Sequence, residues 1–445
     1  MSQSDEGRHV LELDREYVFH SWSAQGALNP MCIAGAQGCY FWDYDGNRYL
    51  DFSSQLVNTN IGHQHPKVVA AIQEQAGKLS TIAPQHANDA RGEAAKRIVE
   101  VAGGHMSQVF FTNGGADAIE NAIKMARVHT RKHKVLSAYR SYHGNTAVAI
   151  TATGEPRRWP NEYATMHKHF FGPHLYRTEF WSTSQEQESE RALEHLEHVI
   201  QFEGAETIAA IVLESVVGTA GILVPPPGYL EGLRALCDKY GIVWIADEVM
   251  AGFGRTGKWF AYQNWGAQPD LIVFAKGVNS GYVPAGGVVI SDRIAATFKD
   301  QMFPGGLTYS GHPLAAASIV ATIDVMRDEG IVENAAMIGE TVLGPGLRDL
   351  ADRHPVIGDV RGLGVFWGLD LVTDRKTREP LAPYGGTSPA MAELVAESKK
   401  RGLMPFINMN RLHVVPPCIV SEGEVKEGLD ILDEVFTVID QHYVG

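Results

Sequence analysis

IVWIADEVMAGFGRTGKWFAYQNWGAQPDLIVFAKG, residues 242–277, holds two short apolar runs, 242–246 and 271–275, each stopped by a charged residue, Asp247 and Lys276. Runs this short and continuous, rich in Val and Ile, suit strands covered on both faces, as in a parallel sheet. A charge just past such a run sits at the carboxyl end of its strand, where open α/β sheets hold their ligands. A third run, 208–213, ends the same way in Glu214. Three strands thus deliver two carboxylates and an amine to one rim. A lysine and an aspartate converging on one crevice suit pyridoxal 5′-phosphate (PLP), which needs an amine to bind its aldehyde and an anion beside its pyridinium nitrogen.

Working outward, strands and helices alternate. The spacing predicts strands at 108–112, 135–138, 147–152, 208–214, 242–247, 271–275 and 286–291. Apolar residues at helical spacing predict helices over 67–79, 89–102, 115–132, 188–199, 229–240 and 314–329. Such alternation implies βαβ units and a largely parallel sheet. At the amino end a polar helical arm is expected up to about residue 30, then a β-hairpin around Asp45-Gly46-Asn47. Near the carboxyl end, 360–372 reads as strand, turn, strand, and the tail as an amphipathic closing helix. Residues 153–205 are polar with aromatic and basic insertions, and beyond the surface helix at 188–199 they show no clear pattern. The expected division is 1–59 and 326–445 as the two parts of a smaller α+β domain, with 60–325 as a large ligand-binding domain.

The 445 residues carry 38 basic and 52 acidic side chains, a formal charge of −14, which argues against a nucleic-acid or anionic-membrane surface. Cys32, Cys39, Cys237 and Cys418 lack metal or disulfide spacing, so the chain reads as reduced and cytoplasmic. No signal peptide and no membrane span is expected.

Several motifs bear on chemistry. Asn113-Gly114-Gly115-Ala116-Asp117 runs from a strand into a helix. Such a turn offers free N–H groups and the positive end of a helix dipole to a phosphate, although it also suits an ordinary strand–helix turn. Gly252–Gly257 matches G-x-G-x-x-G, and with Lys258 nearly matches a P-loop, but Trp259 stands where Ser or Thr is needed. The preceding strand has already ended at Asp247, so this is a structural loop. His167 with His169, and His195 with His198, lack a third ligand at metal spacing, so no metal site is expected; the latter pair is expected to be solvated. Tyr142-His143-Gly144, at a strand end, offers a flat side chain to an aromatic ligand or is simply a packed loop. Residues 305–313 (GGLTYSGHP) are rich in glycine and hydroxyls before a helix, and suit either phosphate donors or a helix start capped by Ser310.

Together these segments resemble the class III (ω) aminotransferases of PLP fold type I, over nearly the whole chain. The resemblance rests on FFTNGGADAIENAIKMAR, SYHG, the strand end at Glu214, WIADEVMAGFGRTGKWFA, PDLIVFAKG, GLTYSGHPLA, RGLGVFWGLDL and VVPP. It implies an aspartate aminotransferase-like large domain with a mainly parallel seven-stranded sheet. It also implies that Lys276 binds PLP covalently and then moves a proton, and that Asp247 holds the pyridine nitrogen protonated. Val249 and Tyr142 would flank the ring, Gly115 and Ala116 would bind the phosphate, and Glu214 would join the polar network. Leu307 and Thr308 would complete the phosphate site of a neighbouring subunit, making a homodimer, with pairing into tetramers left open. Many members place a carboxylate-binding arginine where this chain has Phe406; Arg411, Arg157, Arg158 and Arg177 are the substitutes in view. The segments FSSQLVNTNIGHQHP and FINMNRLHVVPP are most similar to the branch acting on taurine or β-alanine, with Leu56 and Val57 in the substrate pocket. The implied activity is ping-pong transfer of an amino group from an ω-amino acid or primary amine to a keto acid, pyruvate or 2-oxoglutarate. The alternative is a PLP aminomutase or decarboxylase on the same scaffold.

Overall fold

The computed structural model describes residues 4–445. Its centre is a seven-stranded sheet whose spatial order is Met106–Thr112, Gly286–Ser291, Leu271–Phe274, Val243–Asp247, Ile208–Glu214, Lys134–Ala138, His167–Phe170. All pairings from Leu271–Phe274 to His167–Phe170 are parallel. Gly286–Ser291 alone runs against both its neighbours.

Both faces of the sheet are covered, which is why its central strands read as unbroken apolar runs rather than alternating ones. On one face the helix Gly115–Thr130 lays Ala118, Ile119, Ala122, Ile123 and Ala126 against Val212, Ile245 and Val273. On the other, Gln185–Glu203 and Tyr229–Tyr240 pack Leu196, Ile200, Leu230 and Leu233 against Ile211, Leu213, Trp244 and Ala246. Neighbouring residues along a strand therefore serve opposite cores, as the two-residue period of a strand requires. The apolar burial on both sides fixes the register, and with it the level at which each strand ends. Glu214 pairs directly with Asp247, and Asp247 with Val273, so both carboxylates leave the sheet at one height.

One expected strand is a helix. Residues 147–152 form the helix Ala147–Ala152, and the seventh strand of the sheet is His167–Phe170, from the stretch without a clear pattern. Three of the six residues are alanine, the best helix former, and Glu120 accepts hydrogen bonds from Thr146 Oγ1 and from the backbone N–H of Val148 and Ala149 at 2.7, 2.7 and 3.2 Å. That carboxylate satisfies the first turn and opposes the helix dipole.

The amino-terminal strands Ile33–Gln37, Tyr40–Asp43 and Arg48–Asp51 form an antiparallel sheet around the expected turn. Leu403–Met404 joins its edge in parallel, pairing Leu403 with Leu50. A second small sheet joins Ile357–Leu363, Phe366–Asp374, Arg411–Val414 and Phe406–Asn408. The closing helix Glu422–Ile439 begins with a reciprocal cap between Ser421 and Glu424. No helix among the described residues is long and apolar enough to cross a membrane.

Candidate active site

Beyond the carboxyl ends of the parallel strands lies a cavity of about 470 Å³. Its wall includes Lys276, Asp247, Glu214 and Tyr142. Gly115, Ala116, Val249 and Leu56 line it too. Eight of the twelve residues expected at the site thus share one space.

Lys276 opens a single tight turn, Lys276–Val278, just after its strand, with φ of 47°. A residue with a Cβ rarely adopts this left-handed conformation, and such backbone concentrates at functional sites. Burial lowers the amine to about 8, against the opposing pull of Asp247 and Glu214. A substantial neutral fraction at physiological pH makes it a nucleophile and a proton carrier.

Asp247 is held by two contacts. Val249 N–H donates to its Oδ1 at 3.0 Å, and the fully buried His143 lies with Nδ1 2.7 Å from Oδ2. An ionised carboxylate only accepts, so Nδ1 carries the hydrogen. Burial disfavours the charged imidazole, but the bond and charge of Asp247 outweigh it and raise His143. His143 Nε2 is buried without a hydrogen-bond partner among the described residues. Glu214 accepts from the N–H of Tyr142 at 3.0 Å and of Gly218 at 2.7 Å. Its carboxyl rises to about 7, chiefly by burial, with His143 lowering it and Asp247 raising it.

At the far end of the cavity the 16-residue helix Gly115–Thr130 begins. Asp117 turns back to accept from Asn113 N–H at 2.8 Å, while Gly114, Gly115 and Ala116 face the cavity. A Cβ on Gly115 would lie 3.0 Å from Val249, so glycine leaves room for the valine beside the helix start. Gly144 (φ 131°) has Ala116 at its back, where a Cβ would come within 2.5 Å.

These donors fit PLP. The start of the helix suits its phosphate, Asp247 its ring nitrogen, and Lys276 its aldehyde. Bound there, PLP supplies a protonated ring that takes up the electron pair when a bond at the substrate's Cα breaks. There Val249 and Tyr142 would flank that ring, His143 would aim the Asp247 carboxylate it contacts, and the Lys276 amine would move the proton.

Four expected residues lie elsewhere. Val57 is 1 % exposed and joins a core cluster with Val216, Ile222 and Phe366, whereas Leu56 points outward at 50 % exposure. The short helix Ser54–Val57 is kinked, with positive φ at Ser54, Gln55 and Val57, which turns adjacent side chains apart. Arg411 is buried on its strand opposite Asp370, and its guanidinium is lowered to about 10 by burial despite that aspartate. It does not line the cavity. Leu307 and Thr308 sit on a loop away from this chain's own cavity.

The Gly252–Gly257 loop is structural, as its sequence indicates. It carries the fully buried Arg255, whose Nη1 donates to the carbonyls of Val415 and Pro416 and whose Nη2 donates to Ser54 Oγ and Asn60 Oδ1. His195 departs from the solvated reading: it is half-buried and accepts from Phe171 N–H at 3.2 Å, while His198 is exposed. Ser310 does not cap the helix Pro313–Asp328; its hydroxyl donates to Phe111 O at 2.8 Å. No cluster of His, Cys, Asp or Glu among the described residues could hold a metal ion. Sequence reading missed the His143–Asp247 pair and the approach of Ser21 and Trp22 from the amino-terminal arm to the cavity. Neither has a local signal, since the first spans 104 positions.

Comparison with known proteins agrees with this geometry. The family model described as aminotransferase class-III matches residues 22–436. The taurine–pyruvate aminotransferase of Bilophila wadsworthia is 32% identical over 98% of both chains. The 4-aminobutyrate aminotransferase GabT of Escherichia coli is 34% identical over 92% of this chain and 94% of its own. Among solved structures, the taurine:2-oxoglutarate aminotransferase of Bifidobacterium kashiwanohense, in complex with PLP and glutamate, superposes with a TM-score of 0.95 at 43% identity, covering 99% of each chain. With the match running through nearly all of the sequence and the reactive groups gathered at one sheet edge, the chain belongs to the PLP-dependent class-III aminotransferases.

Proposed function

We propose that this aminotransferase takes the amino group of an ω-amino sulfonate or ω-amino acid, of the taurine and β-alanine type, and passes it to 2-oxoglutarate or pyruvate by a ping-pong cycle. The observation that carries the reading is the likeness, at 43% identity over 99% of each chain, to a taurine:2-oxoglutarate aminotransferase solved with glutamate. The wall of the cavity supports it. Lys276, Asp247 and Glu214 share that wall for the chemistry, and Leu56 lines it as well. Lys276, Asp247 and His143 hold and work the cofactor, and Gly115 and Ala116 bind its phosphate. A homodimer completes the site, with Leu307 and Thr308 reaching the partner's phosphate pocket. Tyr17, Phe19, Met302 and Tyr309, each more than half exposed in the single chain, are consistent with faces covered in that assembly. Cys32, Cys39, Cys237 and Cys418 are free and buried, in keeping with a reducing, cytoplasmic setting.

The test is the visible spectrum of the holoenzyme mixed with taurine, β-alanine or a simple primary amine, without keto acid. The band of lysine-bound PLP should fade with taurine or β-alanine and return on adding 2-oxoglutarate or pyruvate. A band that none of the donors alters would refute the donor class. Keto acid consumed in equal amount to donor separates transamination from mutase or decarboxylase chemistry.

A further inference from the structure

Every substrate of the proposed reaction carries an anionic group, yet among the described residues the basic groups of the cavity wall are Lys276 and His143, the first committed to the cofactor and the second paired with Asp247. Two arginines lie close enough to act on that lysine through their charge, Arg157 and Arg255. Arg255 is spent: it is fully buried and donates to two carbonyls, Ser54 and Asn60. Arg411, two positions before the buried His413 on the same strand, lies behind Gly221, where a Cβ would come 2.7 Å from its Cδ, and shares Asp370 with Arg361 and Arg177.

Arg157 is placed differently. Its Nε pairs with the buried carboxylate of Glu155, and its guanidinium plane lies 3.7 Å from the centre of the Tyr142 ring. Trp22 stands 5.7 Å away, and Nη2 lies 3.4 Å from Thr219 Oγ1. Tyr142, Trp22 and Thr219 all line the cavity. The side chain keeps 31 % of its surface exposed, and Nη1 makes no hydrogen bond among the described residues. The guanidinium is therefore anchored at one edge by a carboxylate and on one face by an aromatic ring; Arg157 is not itself part of the cavity wall but stands directly behind three residues that are. An arginine fixed this way matches the two oxygens of a carboxylate or sulfonate with parallel N–H donors.

We propose that Arg157 is the substrate-anion residue of this enzyme. Its outer edge holds the sulfonate or carboxylate of the donor in one half-reaction and, with 2-oxoglutarate as acceptor, that acid's distal carboxylate in the other. This rests on the donor class proposed above. Glu155 acts as a positioning residue: it fixes Nε and sets the guanidinium plane on Tyr142. One arginine serves both half-reactions with 2-oxoglutarate because the donor and this acceptor each carry an anionic group remote from the reacting carbon.

The experiment uses the holoenzyme with Arg157→Leu and Arg157→Lys, each checked for an unchanged lysine-bound PLP band and Tm. Three donors of similar length are compared, taurine, β-alanine and n-propylamine, together with equilibrium binding of ethanesulfonate, which has the anion but no amine. Losing a bidentate, partly buried partner should raise KM for taurine and β-alanine roughly 30- to 1,000-fold. The half-reaction with n-propylamine should stay within about threefold, because that donor offers Arg157 no charge to pair with. Ethanesulfonate binding should be lost in Arg157→Leu and partly recovered in Arg157→Lys. Anionic and neutral donors weakened alike would overturn the proposal, as would ethanesulfonate binding that is absent from the wild type or indifferent to residue 157. Failure of the donor class is read separately: the wild type would then bind ethanesulfonate through Arg157 but show no half-reaction with taurine or β-alanine.

Discussion

The chemistry of Lys276 comes from where its strand stops. Burial at the sheet edge lowers the amine from 10.5 to about 8, although Asp247 and Glu214 pull the other way. The neutral amine is the reactive form. Covalent uptake of PLP by the apoprotein should therefore quicken about tenfold per pH unit below 8 and level off above it. Stopped-flow absorbance across that range checks this; a rate still climbing steeply well above pH 8 would contradict a lowered lysine. The linkage has a definite sign. Between about 8 and 10.5 the unfolded chain binds the proton that the folded chain has lost, so apoprotein stability contributed by Lys276 rises with pH through that window. A second prediction concerns His143, a positioning residue 2.7 Å from Asp247. His143→Phe removes the donor and leaves a buried carboxylate oxygen unpaired, so kcat should fall about 10- to 100-fold by analogy with other residues that orient a working ligand. The absorption maximum of the bound cofactor should shift as well, which a merely loosened fold would not produce. Lys276, Asp247 and Glu214 were legible in the sequence because a charge ending an unbroken apolar run has few places to go in a covered sheet. His143 was not, since its meaning depends on a partner 104 positions away.

At the scale of elements, the doubly covered strands were the readable part, and the physical reason is burial on both faces. Residues 208–213 and 243–246 are entirely buried, so apolar side chains serve along them until the carboxylates Glu214 and Asp247 at the strand ends. The same signal misled at 147–152, where a short apolar run is a helix because a remote carboxylate satisfies its first turn. The true edge strand, His167–Phe170, has two histidines and a lysine among its four residues, and pairing on one side only leaves little pattern to detect. The Ala147–Ala152 helix also backs the site, because Gly144 lies against Ala149 as well as Ala116. Glu120→Ala would strip three donors of their acceptor. The expected cost is about 1–2 kcal/mol of stability, seen as a lower Tm, with weaker PLP retention on dialysis. Glu120→Gln, which keeps one acceptor oxygen, should recover part of both. An unchanged Tm in Glu120→Ala would mean that the helix needs no cap.

For the whole molecule, the question is whether one chain holds a complete site. Leu307 and Thr308 lie on a loop that does not reach the cavity of their own chain, although the sequence pattern around them is rich in small and hydroxyl residues. In the proposed dimer each loop serves the neighbouring cavity, and a two-fold interface makes that exchange reciprocal. Complementation follows from this arrangement. Lys276→Ala removes the reactive amine, and Thr308→Glu places a carboxylate against the cofactor phosphate; each homodimer should be nearly inactive. In a mixed dimer, one site would join the damaged loop to the missing lysine, while the other would join the wild-type loop to the wild-type lysine. If the two chains assemble at random, half of the dimers are mixed and half of their sites intact, so activity should return to roughly a quarter of the wild-type level. Co-expression with two affinity tags allows the mixed dimer to be isolated, where the expected value is about one half. A purified mixed dimer with no more activity than its parents would show that Thr308 belongs to its own chain's site, because both defects would then disable the two cavities independently.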